Sequence, residues 1–217
     1  MYFNKLYIKK TKIKRRKGGT MKLTEKTLRK ASIYAIKEVT TPEEKDSFQK
    51  IWRGVWLSEG YTGEEKYAKY EKYSVDLLLI LFDNTPIGTV RLIKNNEELG
   101  LPTLNDFEIE ESGEKKLMEI TLLTILSEYR KTLAFLTFLK GIYMRLKKEG
   151  IEEIVCAIDE RLFLLLTKKL SFHQIKKEKM YEGSITIPAY LNLSEAEEFV
   201  KKSDFSLYKF FTTKSRN

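Results

Sequence analysis

The chain has little of the chemistry that cysteine and histidine supply: one of each, with four prolines, in 217 residues. A lone Cys156 excludes an intrachain disulfide and fits a reducing cytoplasm. Cys156 and His173 together cannot build a zinc site of the usual His/Cys kind, so no metal site is expected. A Ser-His-Asp arrangement would have only His173 for its base. No run reaches the roughly 18 consecutive apolar residues of a membrane span, and no apolar stretch follows the basic start as a secretory signal requires. What remains is 42% hydrophobic and 33% charged, which suits one globular domain with a proper core.

Net charge is +9, but its location removes the nucleic-acid reading. Residues 1–20 hold eight of the 40 basic groups and none of the 31 acids, leaving 32 bases against 31 acids and a net of +1. A basic arm of this kind can bind phosphate or an acidic surface without specificity. Lys17-Gly18-Gly19 can also be encoded by a ribosome-binding sequence, and Met21 follows two residues later. Translation is therefore expected to begin at Met21, with 21–217 forming a single domain and residues 1–20 an overrun.

Hydrophobic patterning predicts a strand over Ala31–Val39 and a helix opened by Thr41-Pro42-Glu43-Glu44 that stops near Gly60. A short polar helix over Glu64–Lys72 comes next, then a hairpin of Val75–Phe82 and Ile87–Ile93. A loop fills Asn95–Glu114 and precedes a buried strand over Lys116–Leu126. Leu133–Lys148 reads as an amphipathic helix closed by Gly150. A strand (Glu153–Ile158), a helix (Glu160–Leu170), two strands (Phe172–Lys177, Met180–Ile187) and a helix capped by Ser194 complete the chain. Hairpins first and strand–helix–strand units later imply a mixed sheet with helices on both faces.

Scattered motifs between Glu43 and Tyr190 carry a resemblance. They include Glu59-Gly60-Tyr61, Tyr70-Glu71-Lys72-Tyr73-Ser74, the strand Ile87-Gly88-Thr89-Val90-Arg91-Leu92, Leu101-Pro102, Glu119-Ile120-Thr121, and Tyr181-x-Gly183 with Ile187-Pro188. In these the sequence resembles the GNAT superfamily of N-acyltransferases, and within it the N-acyl amino acid synthases and acyl-homoserine-lactone synthases. The resemblance implies an α/β GNAT fold with a twisted mixed sheet. It also implies transfer of an acyl group, expected to be fatty, from an acyl carrier protein thioester to the amine of an amino acid or similar small molecule. No permanently bound cofactor is implied, only acyl-phosphopantetheine or acyl-CoA as co-substrate. No specific nucleic-acid partner and no membrane span are expected.

Two departures stand out. Leu122 occupies the position where the related synthases carry an arginine after Glu-x-Ser. The superfamily's pyrophosphate loop falls on Arg130-Lys131-Thr132-Leu133-Ala134-Phe135, with Leu133 and Phe135 at the glycine positions. Glycines there let backbone N–H groups approach a pyrophosphate, and bulky side chains hinder it. Coenzyme A brings a pyrophosphate to that loop and a carrier protein does not, so the lost glycines favour a carrier-protein donor.

Glu119 interrupts an apolar strand: it is either a buried carboxylate suited to act as a general base, or a surface glutamate paired with Lys94 or Lys116. Arg91 is either a clamp for the acceptor's carboxylate or for Glu71 or Glu119, or an exposed cation. Backbone N–H groups around Leu122 and Leu123 are the expected oxyanion donors, with Arg130 on the donor side. Arg53, Trp52 and Trp56 are candidates for an acceptor lid, though amphipathic core packing explains the two tryptophans equally well; Glu71 and Asp76 are weaker candidates that read first as solvated charges, and Ser74 is either an acceptor contact or a turn residue. Cys156 and His173 read as packing residues. Phe135, Phe138 and Tyr143 are either core or an acyl-chain cavity, and Lys140, Arg145, Lys147 and Lys148 either a solvated face or a steering surface for an acidic carrier. The competing readings are an acetyl-CoA-dependent acetyltransferase and a GNAT-like module that binds without catalysis.

Overall fold

Thr41 opens the first helix by the pattern its sequence promised. Its hydroxyl accepts from the Glu44 N–H while the Glu44 carboxylate accepts from the Thr41 N–H, and Pro42 occupies the first turn. The computed structural model describes residues 33–61, 65–110, 116–130, 132–181 and 184–213. The basic arm at 1–20, the proposed start at Met21 and the first residues of the Ala31–Val39 strand lie outside them.

In chain order the elements are β1 (Tyr34–Glu38), α1 (Pro42–Ser58), α2 (Glu65–Ala68), β2 (Ser74–Leu81), β3 (Pro86–Lys94), α3 (Pro102–Asp106), β4 (Leu117–Ile125), α4 (Ala134–Glu149), β5 (Glu153–Asp159), α5 (Glu160–Leu170), β6 (His173–Gln174), β7 (Lys179–Tyr181), β8 (Ser184–Asn192), α6 (Leu193–Ser203) and α7 (Phe205–Thr212). They form one mixed sheet in the order β1-β2-β3-β4-β5-β8-β6, with β7 also paired to β8. All pairs are antiparallel except β4 with β5, which α4 connects as a crossover.

The two faces bury different cores. Leu77, Leu79, Val90, Leu92, Met118 and Ile154 meet α4 and α5 on one side. Leu78, Ile93, Leu122 and Val155 meet Phe48 and Trp52 of α1, Tyr67 of α2 and Leu104 of α3 on the other. Gly88, the glycine of the Gly-Thr-x-Arg-Leu strand, has a packing reason: a Cβ there would lie 2.7 Å from the Thr124 carbonyl oxygen of β4.

Several boundaries differ from the pattern-based reading. The Asn95–Glu114 loop contains α3, started by Pro102. The strand expected over Met180–Ile187 is β7 plus β8, which continues through Pro188 to Asn192, while β6 shrinks to two residues. Asn192 caps α6, accepting from the Ser194 and Glu195 N–H groups, so Ser194 is not the cap. The polar helix shortens to α2 because a 3-10 turn, Glu71–Tyr73, takes up its second half.

Candidate active site at the parting of two strands

β4 and β5 pair over only three residues, Leu117–Glu119 against Glu153–Val155. β4 runs on to Ile125 and β5 to Asp159 without further pairing, so the middle of the sheet opens just beyond Glu119. On its other side β4 breaks register with β3. Arg91 pairs with Thr121 and Thr89 with Thr124, so Leu122 and Leu123 stand opposite Val90 alone, and Leu122 has φ +50°. This β-bulge leaves both leucines outside either ladder. The Thr89 hydroxyl donates to the Leu122 carbonyl at 2.9 Å and lies 2.5 Å from the Thr124 hydroxyl.

Register sets which side chains share the α1 face. Ser74, Ile93, Glu119 and Val155 form one cross-strand row, and Asp76, Arg91 and Thr121 another on the same face. Ser74 and Glu119 are therefore two strands apart, about 10 Å at the usual interstrand spacing.

Glu119 is 1% exposed and is not a surface glutamate; its partner is neither Lys94, which pairs with Glu149, nor Lys116. Both oxygens are held by one residue of α3: the Thr103 N–H donates to Oε2 at 2.7 Å and its hydroxyl to Oε1 at 2.9 Å. Burial raises the Glu119 pKa from 4.5 to about 7, opposed by the two Thr103 donors and the Lys66 charge. Lys66 is itself ion-paired with Asp106, tying α2 to α3 above this face. A carboxylate that gains and loses a proton near neutrality, with lone pairs left beyond the two Thr103 bonds, can serve as a proton acceptor.

Arg91 is 2% exposed and contacts neither Glu71 nor Glu119 directly. Its Nε and Nη2 donate to the two oxygens of Asp76 at 2.6 Å each, Nη1 donates to the Tyr67 carbonyl at 3.1 Å, and the guanidinium lies over the Phe48 ring. Asp76 is consequently no solvated charge: with a side chain 12% exposed, it is the bidentate partner that makes a buried guanidinium tolerable. Through Tyr67 and Phe48 the pair pins α1 and α2 to the sheet.

The remaining expected residues divide. Trp56 is half-buried in an aromatic group with Trp52, Tyr61 and Tyr67 at 5.5–5.9 Å, and Arg53 lies 5.4 Å from the Trp52 ring centroid. Glu71 is exposed and ion-paired with Lys45, and the Ser74 hydroxyl closes the 3-10 turn by donating to the Glu71 carbonyl. Arg130 donates to the Ile125 carbonyl and to Glu59, while Ala134 N–H, at the start of α4, donates to the Thr132 hydroxyl. The supposed basic face of α4 is largely spent within the chain: Arg145 on Glu38 and Glu149, Lys147 on Glu197, Lys140 over Phe210. Cys156 is buried, and burial pushes its thiol above the usual range; His173 is exposed against Tyr190 and not a core residue. Thr103 was missed although it follows directly on Leu101-Pro102, and nothing in the local sequence paired it with Glu119, sixteen residues on.

On the α4 side an apolar cavity of about 90 Å³ begins at Ile120, the first β4 residue past the last β5 pair, and Ile154. Tyr143 lines it, but Phe135 and Phe138 do not; Leu139, Ile142 and Leu146 take their place, because Phe138 points into the closed core. No group of residues able to hold a metal occurs among the described residues, and none of the described helices is long and apolar enough to cross a membrane.

Comparison with known proteins places this architecture. No curated protein matches by sequence. The structure of FeeM, an N-acyl amino acid synthase from uncultured soil microbes, superposes with a TM-score of 0.69 at 18% identity over 78% of this chain and 96% of that one. BjaI, a CoA-dependent acyl-homoserine lactone synthase, gives 0.57 at 12% identity over 78% and 89%. A GNAT-family acetyltransferase from Staphylococcus aureus gives 0.53 at 14% identity over 74% and 99%. The fold is therefore the GNAT fold, as the resemblance implied. The family model of the N-acyl amino acid synthase FeeM matches residues 52–194, and the chain thus belongs to the FeeM N-acyl amino acid synthase family of acyltransferases.

Proposed function

We propose that this acyltransferase moves an acyl group from the phosphopantetheine thioester of an acyl carrier protein to the amine of an amino acid or similar small acceptor. The observation that carries this reading is Glu119: a fully enclosed carboxylate with a pKa near 7, at the last paired residue before β4 and β5 part.

The acceptor amine attacks the thioester carbonyl carbon, forming the C–N bond; collapse breaks the C–S bond and releases pantetheine as a thiolate, which takes a proton from solvent. Glu119, directly or through a water, accepts the proton the nitrogen must lose. Backbone N–H groups of the bulge at Leu122 and Leu123 stabilise the oxyanion. Arg91 acts at one remove, holding Asp76 and Tyr67 and so the floor beneath the acceptor. Trp56 and Arg53 of α1 border the acceptor side, with Ser74 in the Glu119 row. The acyl tail enters the apolar cavity that starts at Ile120. Engagement of Ala134 N–H by Thr132, and of Arg130 by Glu59, supports a donor without a pyrophosphate.

Thiol release measured with acyl carrier protein thioesters and with the matching acyl-CoA, across a panel of amino acids, tests the reading. Carrier-bound donors are expected to give the higher kcat/KM, and Glu119→Gln to lower it about 10²–10⁴-fold. Equal or better rates with acyl-CoA overturn the donor assignment. Wild-type rates in Glu119→Gln overturn the base.

A further inference from the structure

The family match ends at residue 194, two residues into α6, and the rest of α6 together with α7 lines the apolar cavity. Six of its sixteen lining residues lie beyond the match: Ala196, Glu197, Val200, Tyr208, Phe211 and Thr212. Val200, Leu207, Phe210 and Phe211 form a small core that packs on Leu136, Leu139 and Tyr143 of α4 and Leu170 of α5, while Leu193 and Ala196 of α6 join the core against the sheet. Phe211 meets the Tyr143 ring edge-on at 6.0 Å, Lys140 lies over Phe210, and Glu197 pairs with Lys147 at 2.8 Å.

Ile120, next to Glu119 on β4, and Ile154 of β5 line the cavity from the sheet, and α6 and α7 line it from the helical side, so a tail that entered past Ile120 would meet the helical pair. The β4 and β5 ends are braced by ladders on their outer sides. The wall opposite the sheet includes two short helices, α6 and α7, whose lining side chains substitution can recut.

We propose that the α6–α7 pair, almost all of it beyond the residues the family model matches, is the element that sets acyl-chain length, with Ala196 and Phe211 as its specificity-determining residues. The proposal rests on the acyltransferase reading above and deepens it. Filling the wall shortens the accepted chain; trimming it lengthens the chain.

The test measures kcat/KM for carrier protein charged with chains from acetyl to tetradecanoyl, in wild type, Ala196→Phe and Phe211→Ala. A misplaced methylene in an apolar pocket is worth about 10- to 200-fold in discrimination. Phe211→Ala is thus expected to raise kcat/KM at least about tenfold for a chain two methylenes beyond the wild-type optimum, and Ala196→Phe to lower it as much at the optimum. Phe211→Leu, a milder cut, serves should the alanine variant not fold. Folded variants that keep the wild-type length profile overturn the proposal. Displacement of cis-parinaric acid by free fatty acids separates its failure from that of the parent reading. If no donor supports transfer but the variants still shift the preferred fatty-acid length, the wall stands and the transfer reading falls; if the variants leave displacement unchanged, the wall falls whatever the transfer assay shows.

Discussion

The two faces of the central sheet solve opposite problems. On the α1 side, charged and polar side chains are buried, and hydrogen bonds specify them: Glu119 by Thr103, Arg91 by Asp76 and the Tyr67 carbonyl, Thr89 by the Leu122 carbonyl. On the α4 side the buried surface is nearly all apolar and incompletely filled. A polar face of this kind is unforgiving, because each buried group left without its partner costs its full desolvation. An apolar cavity is tolerant, because its shape changes with one side chain at a time. The proposed function assigns the chemistry to the unforgiving face and chain accommodation to the tolerant one.

Removing one partner of the ion pair should break that contrast most sharply. Asp76→Ala leaves the Arg91 guanidinium buried and unpaired, and urea unfolding is expected to show a loss of about 3–5 kcal/mol. A loss under about 1 kcal/mol, the worth of an exposed pair, would show that the pair is not sealed.

A smaller effect belongs to Glu119. Its folded pKa is raised from 4.5 to about 7, so the folded state holds a proton that the unfolded state gives up. Stability on this account is full below pH 4.5 and falls as pH rises through about 7, by on the order of 3 kcal/mol. Glu119→Gln should flatten that fall in melts recorded from pH 4 to 8. A variant that follows the wild-type curve would place the proton uptake elsewhere.

The smallest change sharpens the comparison without breaking it. Thr103→Val keeps the backbone donor to Glu119 and deletes the hydroxyl, a bond worth about 1 kcal/mol. The acid limb of the kcat/KM–pH profile is expected to move upward by somewhat less than one unit, and Thr103→Ser to restore it. An unmoved limb with a lowered rate would make Thr103 a packing residue only.

How much of this was readable beforehand depended on the range of the interaction. The helix starts and stops are local: a capping box with Pro42 opens α1, and Gly150 at φ +68° closes α4. Continuous apolar runs bounded by turn residues placed β2, β3, β4 and β5 within a residue or two. The helices α3 and α7 escaped because they are only five and eight residues long, too short for their periodicity to stand out. Asp76 looked like a solvated charge at the mouth of an apolar strand, since its partner sits on the neighbouring strand, fifteen positions away.

The sequence by itself determined the main strands and long helices and their order, the odd carboxylate and guanidinium in apolar strands, and the motifs that mark a GNAT acyltransferase. Only the tertiary structure decided that Arg91 belongs to Asp76, that Glu119 answers to Thr103, and that two C-terminal helices wall the cavity. The reason is physical: propensity and periodicity act over a few residues and are written along the chain. A buried charge, by contrast, is defined by partners from other strands and by the water those strands exclude.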